Sequence, residues 1–358
     1  MSIWGRNITV DIFGESHGRA IGVIISGLKP GLRLDMDKIQ SFLDRRKAGG
    51  EAWSTKRGED DIFEILSGVF DGRTTGAPLC AVCENKGARA KDYPAGLNRP
   101  GHADYTAAVR YGGFNDPRGG GAFSGRLTAP LVFAGAVAQQ ALGERGIYAA
   151  THIKSIAGIE DNPFGDTQIT SETAEALCAS RFPLLDESKR DEMIRLIANA
   201  ASEGDSVGGV IECAVCGVPA GAGSEYFGSV ESALSSLLFA IPAVKGVSFG
   251  AGFSLAGMKG SEANDAYSLE DGSITALSNN NGGILGGITN GMPVIFNVAI
   301  KPTPSISKPQ KTVNLETKSE ETIEITGRHD PCIVPRALPV VESAAYLAIL
   351  DIMSERGF

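Results

Sequence analysis

Ile8-Thr9-Val10-Asp11-Ile12-Phe13-Gly14-Glu15-Ser16-His17-Gly18-Arg19-Ala20-Ile21-Gly22-Val23-Ile24-Ile25 is the stretch that decides how this chain folds. Its first five residues alternate apolar and polar, the period-2 signature of a strand with one buried face. The alternation breaks at Gly14, and a second apolar run, Ala20 to Ile25, follows at once. Gly14–Gly18 therefore reads as the connection between two strands. Hairpin strands of this kind argue for largely antiparallel sheets rather than a parallel, doubly wound one.

Further along, Asp35 is placed to cap a helix from about Met36 to Arg46, with Ile39, Phe42 and Leu43 on one face. Residues 47–61 are polar and Gly-rich, a long loop and a candidate lid. Strands are expected at 62–70 and 77–83, and helices at Ala103–Tyr111 and Thr128–Leu142. The second of these is apolar on nearly every face, as a buried helix must be. Next come a helix at 188–202, a strand at 207–218, a helix at 229–240 and a strand at 244–256. A Gly-rich turn at 282–291, a strand at 293–300 and a closing helix at 340–354 complete the order. Ile21-Gly22-Val23-Ile24…Gly27-Leu28-Lys29-Pro30-Gly31 is echoed by Gly208-Gly209-Val210-Ile211…Gly217-Val218-Pro219-Ala220-Gly221. Two similar halves around one core explain the echo; so does chance similarity of strand-turn-helix units. No Pro- or Ser-rich linker divides the chain, so residues 1–358 read as one α+β domain.

The formal net charge of −9 argues against nucleic acid or an anionic membrane as the main partner. No apolar run reaches the ~18 residues of a membrane span, and the first residues hold no apolar signal core, so a cytoplasmic location is expected. Two Cys-Ala-Val-Cys runs, 80–83 and 213–216, invite a zinc reading. Both lie in strand-like stretches, where positions i and i+3 face opposite sides, so buried reduced thiols are expected and no metal.

The chain has four histidines, and three sit in short runs crowded with Gly, Arg, Ser and acidic residues. Scarce imidazoles beside flexible backbone and fixed charge are how acid/base chemistry is assembled near neutral pH. Gly14-Glu15-Ser16-His17-Gly18 puts a carboxylate, a hydroxyl and an imidazole on one turn; alternatively, Ser16 and His17 merely satisfy local backbone. Arg99-Pro100-Gly101-His102-Ala103-Asp104 leads into a helix start, a setting that favours an anion. A simple Asp cap beside a solvated Arg is the other reading. Arg110, Arg118 and Arg126 follow, with Gly119-Gly120-Gly121 offering bare amides. In an acidic protein such a run points to a phosphate or carboxylate ligand. Lys301-Pro302-Thr303-Pro304-Ser305 is a second anion site or a stiff turn. Arg328-His329-Asp330 is a catalytic loop or a structural ion pair. Gly282–Gly287 lacks dinucleotide spacing, and no P-loop motif occurs. His152, in a plain strand-like stretch, serves as the control.

In this order and spacing the runs resemble the chorismate synthase family along nearly the whole chain. Gly14–Gly18, Arg99–Tyr105, Arg118–Gly121, Gly282–Gly287, Lys301–Thr303 and Arg328–Cys332 carry the resemblance. It implies a homotetramer whose subunit packs helices between two largely antiparallel sheets, with an internal pseudo-repeat. The implied reaction is the 1,4-elimination of phosphate from 5-enolpyruvylshikimate 3-phosphate to give chorismate, the last shikimate-pathway step. That reaction has no net redox change yet requires reduced FMN. By motif, His17 protonates the reduced flavin or the leaving phosphate, and His102 is its partner near flavin N1 or the substrate. Asp330 keeps flavin N5 able to accept the substrate proton, while Ser16 and Ser124 relay protons. Arg46, Arg99, Arg126 and Arg328 hold the substrate anions. Ala122, Phe123, Ser124, Pro242, Ala243, Gly286, Lys301, Pro302, Thr303, Pro304, Ser305 and Arg328 match stretches that contact FMN.

Two departures stand out. Many members have Arg-Ser-Ser-Ala-Arg where this chain has Ala122-Phe123-Ser124-Gly125-Arg126, and many have Arg at the place of Ala52. Arg118 or Lys301 is the expected substitute for the first of these cations. No added flavin-reductase domain is apparent, so an external reductant is expected rather than reduction by NADPH on this chain. A flavin-free phosphate lyase or mutase, or a small-anion-binding protein, uses the same residues but needs no reduced flavin.

Overall fold

The structure is a computed structural model that describes residues 2–51, 53–54, 60–85, 96–165, 169–270, 272–325 and 330–355. Two five-stranded antiparallel sheets form its outer layers. In the first, β1 (Ile3–Trp4), β2 (Thr9–Gly14), β3 (Ala20–Ser26) and β4 (Glu64–Ser67) join β7 (Leu79–Glu84) in the order β1-β2-β3-β7-β4. A small hairpin, β5 (Val69–Phe70) and β6 (Arg73–Thr74), precedes β7. In the second, β8 (Tyr148–Ile156), β9 (Ile159–Glu160), β10 (Gly209–Cys216), β11 (Val244–Phe249) and β16 (Val294–Ile300) take the order β11-β16-β10-β8-β9. Hairpins β12 (Tyr267–Glu270) with β13 (Ser273–Ala276), β14 (Ile284–Leu285) with β15 (Ile288–Thr289), and β17 (Gln310–Val313) with β18 (Glu320–Ile323) decorate the ends. The β2–β3 pairing read from the opening stretch is present, with Val10 opposite Ile25 and Phe13 opposite Gly22.

Between the sheets lie α1 (Met36–Arg46), α3 (Thr128–Gly143), α6 (Val230–Leu238) and α8 (Val334–Ser354). The remaining helices are α2 (Asp104–Arg110), α4 (Ser171–Ala179), α5 (Arg190–Ser202) and the short α7 (Gly260–Ala263). α1 starts where its cap predicts: the Asp35 carboxylate accepts from the amides of Asp37 and Lys38, and Ile39, Phe42 and Leu43 are buried. α3 crosses α8 so closely that a Cβ on Gly135 would lie 2.2 Å from Ser343 Cβ. α8 is long and apolar enough to cross a membrane, but it is packed inside the molecule on nearly every face, as a core helix is. Its start, Val334, precedes the expected 340. Pro335 falls in the first turn, where the missing N–H has no intrahelical partner anyway, and core burial holds Pro339 in the interior. The expected strand 244–256 ends at Phe249, because Gly250 turns the chain at φ 54 into a 3₁₀ segment at Gly252–Gly257.

The internal echo is structural and reaches single hydrogen bonds. Strand order β2-β3-β7-β4 in one sheet is matched by β8-β10-β16-β11 in the other, with α1 and α6, then α3 and α8, at corresponding places. In the first half the Gly31 amide donates to Thr74 O, the Leu32 amide to Thr74 Oγ1, and Thr74 Oγ1 to Lys29 O. In the second, the Gly221 amide donates to Thr289 O, the Ala222 amide to Thr289 Oγ1, and Thr289 Oγ1 to Pro219 O.

Candidate active site

A cavity of about 740 Å³ opens where corresponding ends of the two halves meet: the C-terminal ends of α1 and α6 and the N-terminal ends of α3 and α8. That volume lies toward the upper end of the ligand-pocket range, room for more than one small molecule. Ser16 and His17 enter it from the β2–β3 turn, where the Gly18 amide donates to Glu15 O and His17 Nδ1 lies 3.2 Å from Ser16 Oγ. The triple glycine runs against both cavity histidines. Gly119 and Gly120 take φ 58 and 86, and Cβ atoms there would come within 2.2 Å of His17 Cε1 and 2.9 Å of His102 Cε1. No side chain fits at either position, which is why the run is glycine.

His102 is oriented by its own loop. His102 Nδ1 lies 2.6 Å from Asp104 Oδ1 and 3.1 Å from Arg99 Nη2, so this nitrogen is taken up by its own loop and Nε2 is not. The same carboxylate takes Arg99 Nε and Nη2, each at 2.8 Å, and the Arg99 amide at 2.9 Å. Burial would raise the Asp104 pKa, but the hydrogen bonds from Arg99 and His102 outweigh it and hold the carboxyl well below its usual range. The anion beside Arg99 is thus Asp104, and helix α2, seven residues long, starts there without a side-chain cap.

Arg46 and Arg126 converge on one carboxylate. Asp61 Oδ2 takes Arg46 Nη2 at 2.5 Å while Oδ1 takes Arg126 Nη1, and the Asp61 side chain is fully buried. The two guanidinium charges overcome the burial penalty and lower the Asp61 pKa. Arg126 Nε also donates to Asn85 Oδ1 at 3.1 Å, and Asn85 Nδ2 donates to Glu15 O and Gly18 O at 3.0 and 2.9 Å. Asp330 pairs with Arg336 Nη1, whose Nε donates to Arg46 O at 2.9 Å. Asp61, Asn85 and Arg336 were not singled out from the sequence. Their only signals are position: a strand end for Asn85, the close of a polar loop for Asp61, and for Arg336 a helix start hidden by the neighbouring prolines.

On the other side stand Pro242, Ala243, Lys245, Lys301, Thr303, Pro304 and Ser305. Ala243 holds φ 74, a left-handed conformation rare for a residue with a side chain, and its carbonyl takes the Lys301 amide at 2.9 Å. A register shift between Val244 and Gly246 leaves Lys245 as the extra residue. Lys301 Nζ donates to Gly101 O, joining this rim to the His102 loop. Ala122, Phe123 and Ser124 also line the cavity, whereas Pro302 and Gly286 do not; Gly286 sits in the β14–β15 turn. Arg118 does not replace the cation missing at Ala122, since it is exposed, outside the lining, and doubly bonded to Asp116 at 2.8 and 2.7 Å. Arg328, His329 and Ala52 lie outside the described residues, as does much of the candidate lid.

His152 lies apart from the cavity. It is fully buried, with Nδ1 2.9 Å from Asp161 and Nε2 2.9 Å from Glu212. Burial would lower its pKa, yet hydrogen bonds to the two carboxylates prevail and raise it. Glu212 and Asp161 also take the amides of Phe164, Leu185 and Asp186. Through Asp161 and Glu212 this histidine joins Phe164, Leu185 and Asp186 to its sheet, and so is more than a bystander in a strand.

Fold and site together have the form of a small-molecule enzyme, with the imidazoles of His17 and His102, guanidinium groups and the Asp330 carboxylate lining one cavity. The chorismate synthase family model matches residues 8–354. A chorismate synthase of Dehalococcoides mccartyi is 46% identical over 357 residues, covering 99% of this chain and 96% of that protein. One of Thermococcus kodakarensis is 45% identical over 354 residues, covering 98% and 97%. A crystal structure of a chorismate synthase superposes with a TM-score of 0.76 at 27% identity, over 99% of this chain and 93% of the other. This chain belongs to the chorismate synthase family, lyases of the shikimate pathway to the aromatic amino acids.

Proposed function

We propose that the 358-residue chain is one chorismate synthase domain that eliminates phosphate from 5-enolpyruvylshikimate 3-phosphate to give chorismate. The observation that carries this reading is the convergence of His17, His102 and Asp330 with Arg46, Arg99 and Arg126 on one cavity. A substrate with two carboxylates and a phosphate calls for such a ring of cations.

The residues present fit a phosphorylated flavin. Thr303 Oγ1 is buried with no hydrogen-bond partner among the described residues, and it lines the cavity beside Lys301, Lys245 and Ser305, a donor set suited to a phosphate. Ala122, Phe123, Ser124, Pro242 and Ala243 supply the adjoining wall. When bound, reduced FMN would supply transient electron donation for an elimination that has no net redox change. His17, with Ser16 beside it, delivers a proton toward the leaving group, and Ser124 serves the same relay. His102 Nε2, its ring fixed through Nδ1 by Asp104, is the second proton-handling atom. Asp330, paired with Arg336 at the cavity wall, would assist the group that receives the substrate proton. Arg46, Arg99 and Arg126 orient the substrate, and Arg328 extends that set by motif. Lys301 supplies the positive charge that Ala122 does not.

The exposed apolar residues Tyr105, Val109 and Phe114 around α2, with Leu269 and Ile274 on the β12–β13 hairpin, support a homotetramer with these surfaces covered. Six free cysteines suit a cytoplasmic setting, with FMN reduced by an external donor. The deciding experiment is anaerobic phosphate release with reduced, oxidised or no FMN. Turnover is expected with the reduced form alone; full activity in flavin-stripped protein would make this a flavin-free lyase.

A further inference from the structure

We infer that Asp61 and Asn85 are positioning residues that fix Arg126 and the His17 turn as one unit, coupling the substrate's anion contact to the group that moves the proton. This deepens the reading of the cavity as a phosphate-eliminating site and rests on it.

Two guanidinia buried side by side repel each other and are tolerated only with a shared counter-charge. Asp61 supplies it with one oxygen to each, Oδ2 to Arg46 and Oδ1 to Arg126. Its backbone sits at φ 46, a strained conformation for a residue with a side chain, so the fold holds this carboxylate in place against a local cost. From Arg126 the chain of contacts continues through Nε to Asn85 Oδ1. The Asn85 amide then grips both ends of the turn that presents Ser16 and His17, through Glu15 O and Gly18 O. In the other direction, Arg336 links the Arg46 carbonyl to Asp330. An unbroken series of hydrogen bonds therefore runs from Asp330 to the His17 turn. A shift of Arg126 on meeting an anion moves Asn85, and with it the imidazole. Neither Asp61 nor Asn85 has to touch the reacting atoms for this.

The test uses Asp61→Asn, Asp61→Glu and Asn85→Asp in the full chain with reduced FMN. Asp61→Asn keeps the shape but removes the charge that competes for the arginines. It should lower kcat about ten- to hundredfold while KM stays unchanged or falls. Asp61→Glu, which restores the carboxylate, should recover part of kcat. Asn85→Asp turns a donor into an acceptor, breaks both bonds to the turn, and should lower kcat with KM within about threefold. Asn85 is only half-buried, so this variant carries the argument if Asp61→Asn fails to fold. Histidine NMR gives a readout independent of turnover: the His17 ring signals should move in both variants and those of His152 should not. Unchanged kcat per folded protein, or His17 signals that stay put in both variants, would overturn the proposal. Wild-type protein that releases no phosphate would instead sink the functional reading, while the NMR arm still decides the positioning.

Discussion

The first half joins β2 to β3 by the short turn 15–19, whereas the second joins β8 to β10 through residues 157–208, which carry β9, α4 and α5. Around this difference the frames are alike, down to Thr74 and Thr289 making the same set of bonds. The short turn leaves an imidazole at a strand end, facing a cavity. The long insertion buries its imidazole under added structure and fixes it between two carboxylates. Equivalent scaffolds thus leave one histidine lining a cavity and bury another between carboxylates, according to the connection each strand carries.

The sharpest way to break that contrast is to remove the histidines of each kind. His17→Ala and His102→Ala should each lower turnover by about 10²–10⁴-fold, the usual worth of a general acid or base, or roughly 3–5 kcal/mol of barrier. Their melting temperatures should stay close to that of the parent. Asp330→Asn should resemble them in turnover. Normal turnover in either histidine variant would remove that residue from the proposed chemistry.

His152→Ala should do the reverse. Taking one member from a buried charged set costs about 3–5 kcal/mol, because the carboxylates of Asp161 and Glu212 are left facing each other. Turnover per folded molecule should change by less than about threefold. The pH dependence carries a sign. The folded His152 pKa is raised above its usual 6.5, so its contribution is fully present below that value and lost as pH rises through the higher folded one. Asp161 and Glu212 are lowered, so their contributions are present above the usual carboxylate range and lost on acidification. The stability gap between parent and variant should therefore narrow on the alkaline side, as read from denaturant midpoints across pH. A gap that widens there would reverse the assignment.

Strand ends also differ in what they present to ligands. Lys301 follows β16 as Asn85 follows β7, but Lys301 reaches the rim where the buried Thr303 hydroxyl has no partner among the described residues. Lys301→Ala should weaken FMN binding about tenfold, near the lower limit for removing one charge-assisted hydrogen bond. Riboflavin, which lacks the phosphate, should bind both proteins alike. An equal loss for both flavins would place the lysine away from the phosphate.

Much of this was legible in the residues, for local reasons. The β2–β3 hairpin, the Asp35 cap and the buried α3 each announce themselves within a few positions. The triple glycine reads in the sequence as bare amides for an anion, whereas in the fold Gly119 and Gly120 pass against His17 and His102. The sequence did not disclose partnerships made across long separations. Even within one run, the pairing of Arg99 with Asp104 shows only in the fold, where the loop brings the carboxylate back onto the guanidinium. Asp61 bridges residues on α1 and ahead of α3, and its importance exists only once those elements meet. His152 looked inert for the same reason, its carboxylates being supplied by β10 and the inserted segment.

The smallest effect tests the repeat itself. Thr74 and Thr289 are both buried, and each hydroxyl accepts from one amide and donates to one carbonyl in its own turn. Thr→Val keeps the volume and leaves that amide and carbonyl unpaired, at a cost of about 1–3 kcal/mol per site. If the halves are energetically as well as geometrically equivalent, Thr74→Val and Thr289→Val should lower stability by the same amount within about 0.5 kcal/mol. The two turns share no partners, so the double variant should show the sum. A marked inequality would mean that one turn is stiffened by its surroundings. Thr74 is then the one expected to matter more for turnover, because its turn leads into α1, which ends on Arg46 in the cavity. The Thr289 turn leads into α6, whose end contributes only wall residues. Equal stability losses with a larger fall in turnover for Thr74→Val would show one frame serving two purposes.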